Sequence, residues 1–237
     1  MITVRPVMKL APKFVFLAFL LSTSAHADTP PTDVPIGAGW TEEFPKLKYD
    51  LPPKTTDRHT IQDGVNHFYI LNTDPSTFPG HDSGCRAEAR IYNDYTTGQH
   101  QFSADFLVEP GTNNVSIFQI FGNTGRATTF MLWVTRNGSL SHYGDEVIAQ
   151  GNIYNKWQHL NVVHDADAGE IDVYLNGKHC ATFQGGGPHT HTHYFKFGVY
   201  HQKDMSARSG IFYKNIHFYK KEGRPAAAAG STAQTSP

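Results

Sequence analysis

A β-sandwich of two curved antiparallel sheets is the fold class this sequence predicts, and three observations carry the prediction. Apolar and polar residues alternate with period two in segment after segment. Asn-Gly pairs at 137–138 and 176–177, the strongest short-range signals for a tight hairpin, separate such segments. Good helical stripes are missing from a chain rich in glycine and aromatic residues.

The strands follow in order. Alternation marks "HQFSADFLVE" (100–109), "VSIFQIFG" (115–122), "TTFMLWVTR" (128–136), "WQHLNVVHD" (157–165), "EIDVYLNG" (170–177), "YFKFGVYHQ" (194–202) and "GIFYKNIHFYK" (210–220). "DADAG" (165–169) is a further turn; it lacks the length and terminal Glu of a calcium loop. Short helical turns are expected only near 40–46 or 151–157. A sandwich of curved sheets has a concave outer face on which a long polymer can lie.

Four segments make up the chain. Residues 1–27 read as a secretory signal peptide of bacterial style. Arg5, Lys9 and Lys13 form a basic start, "FVFLAFLL" (14–21) is an apolar core too short to span a bilayer, and "AHA" (25–27) is a small-x-small cleavage site. Cleavage is expected after Ala27, with release to the periplasm or the medium. Residues 28–60 are Pro-rich and expected to be irregular, packing on the domain. Residues 61–222 form the β domain. Residues 223–237 have no large apolar side chain and read as a disordered tail.

Charge narrows the partners. Losing the leader's three cations takes the net charge from −1 to about −4. No global positive field gathers a polyanion, so nucleic acid is not an expected partner, and an acidic ligand needs a local cluster. No later segment suits a membrane, and a monomer is expected. Export allows one disulfide, Cys85–Cys180, against the alternative of two buried thiols.

Three stretches supply such a cluster. In "CRAEARIY" (85–92), Arg86, Glu88 and Arg90 share one strand face, and Arg presents a planar fork suited to a carboxylate. Glu88 between them can hold their orientation, although an ordinary surface ion-pair row has the same spacing. In "IFQIFG" (117–122), Gln119 is an amide in an apolar strand, which calls for a wet groove or a buried partner. In "YFKFGVYHQ", Tyr194, Lys196, Tyr200 and Gln202 lie on one face around Gly198, with Phe195, Phe197 and Val199 on the other.

Taken together and in this order, R-x-E-x-R, Q-I-x and Y-F-K-x-G-x-Y-x-Q resemble polysaccharide lyase family 7, the alginate-lyase type of β-jelly roll, over about residues 80–220. "NIYNKWQHLNVVHD" (152–165) and "VYLNG" (173–177) look more like relatives around glucuronan lyase and plant citrate-binding protein. The resemblance implies β-elimination on a uronate-containing polysaccharide, with no metal or other cofactor. The sugar carboxylate must be neutralised, a base must take the C5 proton, and an acid must protonate O4. By resemblance, Arg86 or Arg90 with Gln119 would neutralise the carboxylate. Tyr200 would be the acid and, in a syn elimination, also the base. Lys196 would bind substrate and supply positive charge beside the phenol. Glu88, Arg90, Tyr194 and Gln202 would complete the substrate groove.

One position departs from the pattern. The family's Q-[IV]-H ends in His, and this chain has Phe121 there. His81, in the loop before the arginine strand, is the first substitute base; His142 and His100 follow. "HTHTH" (189–193) puts three imidazoles on one parity, but no matching ligand pattern supports zinc, and contact with sugar at the groove rim is expected instead. Trp133 and Trp157 stand in apolar strand contexts that favour the core. A laminarinase-type hydrolase would need a second Glu after Glu170 and Asp172, and Tyr174 and Leu175 stand there. A non-catalytic protein binding a carboxylate ligand or a polysaccharide is the alternative.

Overall fold

The computed structural model describes residues 39–80, 83–122, 128–185 and 191–221. Fifteen strands run in chain order: β1 (Thr41–Glu43), β2 (Leu47–Asp50), β3 (His59–Gln62), β4 (Val65–Leu71), β5 (Arg86–Ile91), β6 (Gln99–Val108), β7 (Val115–Phe121), β8 (Thr128–Thr135), β9 (Ser139–His142), β10 (Glu146–Ala149), β11 (Gln158–Asp165), β12 (Glu170–Leu175), β13 (Lys178–Gln184), β14 (Tyr194–His201) and β15 (Arg208–Lys221). They form two antiparallel sheets. One is ordered β13-β12-β11-β6-β15-β4-β3, with β1 also paired to β15; the other is ordered β10-β9-β8-β7-β14-β5-β2. The described residues are therefore all-β, apart from two short 3₁₀ turns at Thr56–Arg58 and Arg136–Gly138.

Alternation places one face of each sheet in the shared core. Phe195, Phe197 and Val199 of β14 and Ala87, Ala89 and Ile91 of β5 are fully buried there. Rings from both sheets interlock: Phe102 of β6 lies 4.6 Å from Phe118 of β7 and 5.7 Å from Phe197. Tyr213 of β15 meets Phe197 edge-on at 5.2 Å. Its buried hydroxyl donates to the Ile117 carbonyl at 2.7 Å, so the one polar atom among these rings is satisfied. Expected hairpins form at 137–138 between β8 and β9, at 165–169 between β11 and β12, and at 176–177 between β12 and β13.

Several expectations need correction. Residues 28–60 are not irregular throughout. β2 pairs with β5 and β1 pairs with β15, so backbone pairing overrides the local proline content. The helical turn expected near 40–46 is β1, and Tyr154, within 151–157, makes a single β-bridge to Val108. Cys85 and Cys180 are free thiols. Cys85 precedes β5 and donates to the Leu71 carbonyl, whereas Cys180 lies on β13, the edge strand of the other sheet. The expected leader (1–27) and the expected tail (223–237) lie outside the described residues.

Candidate active site

Register brings the three motifs into contact. β14 lies between β5 and β7, with Lys196 opposite both Arg90 and Gln119, Gly198 opposite Glu88, and Tyr200 opposite Arg86. All face away from the core. Gly198, at φ 138°, makes this approach possible: a Cβ there would collide with the Ala87 carbonyl and sit 2.5 Å from Glu88 Cα. The β14–β7 register shifts between Phe197 and Tyr200, a bulge that re-aims the side chains beyond it.

Glu88 is the centre of the array. Its carboxylate accepts from Arg86 Nη1 at 3.0 Å, Lys196 Nζ at 2.8 Å and Gln119 Nε2 at 2.6 Å. Glu88 is 1 % exposed, Gln119 3 %, Lys196 4 % and Arg86 7 %. Burying charges is costly, and one carboxylate shared by two cations and an amide offsets part of that cost. Two cations against one carboxylate leave a positive excess on this face. Arg90 is not held by Glu88; it makes a bidentate pair with Asp94 at 2.8 and 2.9 Å.

Aromatic rings flank this floor. The Arg86 guanidinium lies 3.9 Å from the Tyr200 ring centroid and 5.1 Å from that of Phe78. Arg90 lies 3.9 Å from the Tyr194 ring, which stacks on Phe121 at 4.8 Å. These are cation–π distances. Phe121 thus fills its place as the outer layer of an Arg90–Tyr194–Phe121 stack. Arg86 Nε, Arg90 Nη1 and Gln202 Nε2 are buried with no acceptor among the described residues. The site is short of acceptors, the condition that an anionic, oxygen-rich ligand relieves.

Sequence reasoning placed Arg86, Glu88, Arg90, Gln119, Tyr194, Lys196, Tyr200 and Gln202 on this face, and all eight lie on or beside it. His81 lies outside the described residues. The other two substitute bases are elsewhere. His142 stacks on Phe130 at 4.9 Å on the core side, because its strand partner Leu132 faces inward. His100 stacks on Tyr95 at 3.6 Å, beside the loop before β6. His193, expected at a groove rim, is buried against Tyr95 and His164. Trp133 faces outward, opposite Ser116, and Trp157 is exposed beneath Lys214 at 4.5 Å; neither is core. Asp50 was missed: it is buried opposite Glu88 and pairs with Lys48 at 2.9 Å.

Comparison with known proteins identifies the family. A citrate-binding protein of Hevea brasiliensis is 35 % identical over 178 residues, covering 74 % of this chain and 72 % of that protein. Among solved structures, the alginate lyase from Corynebacterium sp. superposes with a TM-score of 0.60 at 16 % identity, covering 74 % of this chain and 94 % of its own. The family 7 alginate lyase A1-II′, in complex with substrate (GGMG), gives a TM-score of 0.60 at 13 % identity, covering 75 % and 94 %. The family model for alginate lyase matches residues 41–222, and the chain belongs to that family.

Proposed function

We propose that this protein is an exported polysaccharide lyase that cleaves a uronate polymer, glucuronan-like or alginate, by β-elimination. The observation that carries the proposal is the register of Tyr200 with Arg86, beside the Glu88-held Gln119 and Lys196. A sugar carboxylate meets the positive excess of this face, with guanidinium and ammonium protons to neutralise it. That stabilises negative charge as C5 loses its proton. The C5–H electron pair becomes the C4–C5 double bond, the C4–O4 bond breaks, and O4 leaves with a proton. In this reading Tyr200 delivers that proton and, in a syn elimination, accepts the first one. Glu88 does not touch substrate in this scheme; it positions Arg86, Gln119 and Lys196.

A binding protein is the second reading, and a specific observation favours it. Phe121 and Tyr194 stack where the family pattern has an imidazole, and the Hevea relative is named for citrate binding. Phe121 also turns the substrate preference toward a glucuronan-like polymer.

The test is ultraviolet absorbance of new unsaturated uronate ends on alginate, glucuronan and related polyuronates, with Tyr200→Phe alongside. The expected result is turnover on one polymer and a loss of roughly 10²–10⁴-fold in the variant, with binding retained. Silence on every polymer, with tight binding of citrate or one polymer, establishes the binding protein instead.

A further inference from the structure

The apolar interior of the sandwich stops short of one end, and the inner-face positions there turn polar. Phe218 of β15 packs in the core against Phe102 at 5.8 Å. Its register partner on β1 is Glu43, so Glu43 shares the inner face. Two residues beyond Phe218, Lys220 shares that face as well, and its register partner on β6 is His100. The loop between β5 and β6 reaches the same end. Its Tyr95 bridges to His193 through two backbone hydrogen bonds, at 3.0 and 2.8 Å, and stacks on His100 at 3.6 Å. A cavity of about 300 Å³ lies here, with Glu43, Asn93, Tyr95, His100, Lys220 and Lys221 among its walls.

Three buried polar atoms of these walls have no partner among the described residues: Asn93 Oδ1, Asn93 Nδ2 and Glu43 Oε2. Buried polar atoms in folded proteins are nearly always paired, so a whole amide and a carboxylate oxygen left over beside one cavity call for a ligand. The amide offers one acceptor and one donor, and the carboxylate oxygen needs a donor. The other Glu43 oxygen, Oε1, lies 3.5 Å from Lys220 Nζ. Asp94 also lines the cavity, but Arg90 holds its carboxylate at 2.8 and 2.9 Å. With Asp94 so occupied, the two lysine ammonium groups of the lining face the single carboxylate of Glu43.

We infer that this cavity, between the sheets rather than on the outer face that carries Tyr200, binds a small hydroxy-carboxylate. Hydroxyls of the ligand donate to Glu43 Oε2 and Asn93 Oδ1 and accept from Asn93 Nδ2, and its carboxylate faces Lys220 and Lys221. A neutral sugar lacks the last of these contacts. A carboxylate without a hydroxyl has no donor for Glu43 and is repelled by it. The volume suits a single small molecule and not a polymer. A free uronate monosaccharide and a non-sugar hydroxy acid such as citrate share the required chemistry. The inference goes beyond the lyase reading and does not depend on it.

The experiment is isothermal titration of the protein with D-glucuronate and citrate, each beside a control that lacks one contact: D-glucose without the carboxylate, tricarballylate without the hydroxyl. Asn93→Leu and Glu43→Gln are titrated separately; Glu43 is half-buried on a short edge strand, so its variant keeps the fold. D-glucuronate or citrate is expected to bind roughly tenfold tighter than its control, and each substitution to weaken it roughly tenfold. Whichever of the two binds names the source, sugar or non-sugar. Saturating long polyuronate is expected to leave the titration unchanged. Binding of neither compound, equal binding of a control, or unchanged affinity in either variant overturns the site. Displacement by the polymer also overturns it, because that puts the ligand on the Tyr200 face. Whether any polymer is cleaved bears on the lyase alone.

Discussion

Both sheets carry a polar row on the outer face, and the two rows are built to opposite ends. On the seven-stranded sheet the row is charged, with Arg86, Lys196 and Arg90 around Glu88, and several N–H groups lack acceptors. On the eight-stranded sheet the row is nearly neutral and largely paired within itself, with Asn161 Nδ2 left without an acceptor among the described residues. Gln101 donates to Asn161 at 2.7 Å, His159 Nδ1 lies 2.8 Å from Asp105, and Asn215 donates to Asp105 at 2.7 Å. Ser103 Oγ lies 3.3 Å from His159 Nε2, giving a serine–histidine–aspartate chain of the kind that activates nucleophiles. Ser103, however, is 0 % exposed, and no substrate atom can reach it. A list of residue types would rank the Ser103 row as the reactive site. The half-buried Tyr194 and Tyr200, and the Arg86 Nε, Arg90 Nη1 and Gln202 Nε2 groups left without acceptors among the described residues, rank the Glu88 row first.

The comparison breaks most visibly at its charged centre. Glu88→Ala leaves Arg86 and Lys196 buried without their carboxylate, and removing one partner of a buried ion pair typically costs about 3–5 kcal/mol. The denaturation midpoint should fall by a corresponding amount. Any cleavage should fall with it, since Gln119 and Lys196 lose their common anchor. Retention of full stability would mean that Arg86 and Lys196 find water or each other's space without penalty, and the array would not be the organising feature described above.

The two rows also differ in how far the sequence discloses them. Period-two alternation is enough to put Arg86, Glu88 and Arg90 on one face and Tyr194, Lys196 and Tyr200 on another. The fold class and the strands carrying the site were legible for the same reason. That Glu88 would gather Gln119 and Lys196 was not, because it depends on the register of three strands distant in sequence and on the bulge after Phe197. Trp133 was assigned to the core because "FMLWV" is apolar throughout, so neither parity of the strand marks the outward face. His142 and His100 were candidates by chemistry alone; their strand partners and ring neighbours turn them away from Tyr200. β2 was hidden by flanking prolines, since pairing with β5 is a tertiary effect that local composition does not record.

The inner side of the eight-stranded sheet sharpens the contrast further. His164 of β11 points into the sandwich, with its Nδ1 2.8 Å from the Tyr95 hydroxyl and its ring near His193. Burial, followed by charge on His193 and His100, pushes its pKa down to about 3, and burial lowers that of His193 as well. A histidine with a depressed folded pKa takes up its proton in the unfolded chain first. Its contribution to stability is therefore full above about pH 6.5 and declines as pH falls toward the folded value. The slope for this one group reaches about 1.4 kcal/mol per pH unit. Urea denaturation across the range above carboxylate titration should show that slope, and His164→Phe should reduce it. An unchanged slope would mean that His164 stays solvated or is protonated in the fold.

The smallest expected effect tests the other half of the comparison. Ser103→Ala removes one oxygen from the closed row and leaves His159 with its Asp105 contact. The cost is that of one neutral hydrogen bond, about 1 kcal/mol. Cleavage and polymer binding should match the unmodified protein, because the Tyr200 row lies on the outer face of the other sheet and shares no residue with this one. A loss of turnover on any ester or polysaccharide in Ser103→Ala, with the fold intact, would reverse the ranking. It would mean that the row opens enough in solution to expose Ser103, and that burial in the folded chain had hidden a second reactive centre rather than excluded one.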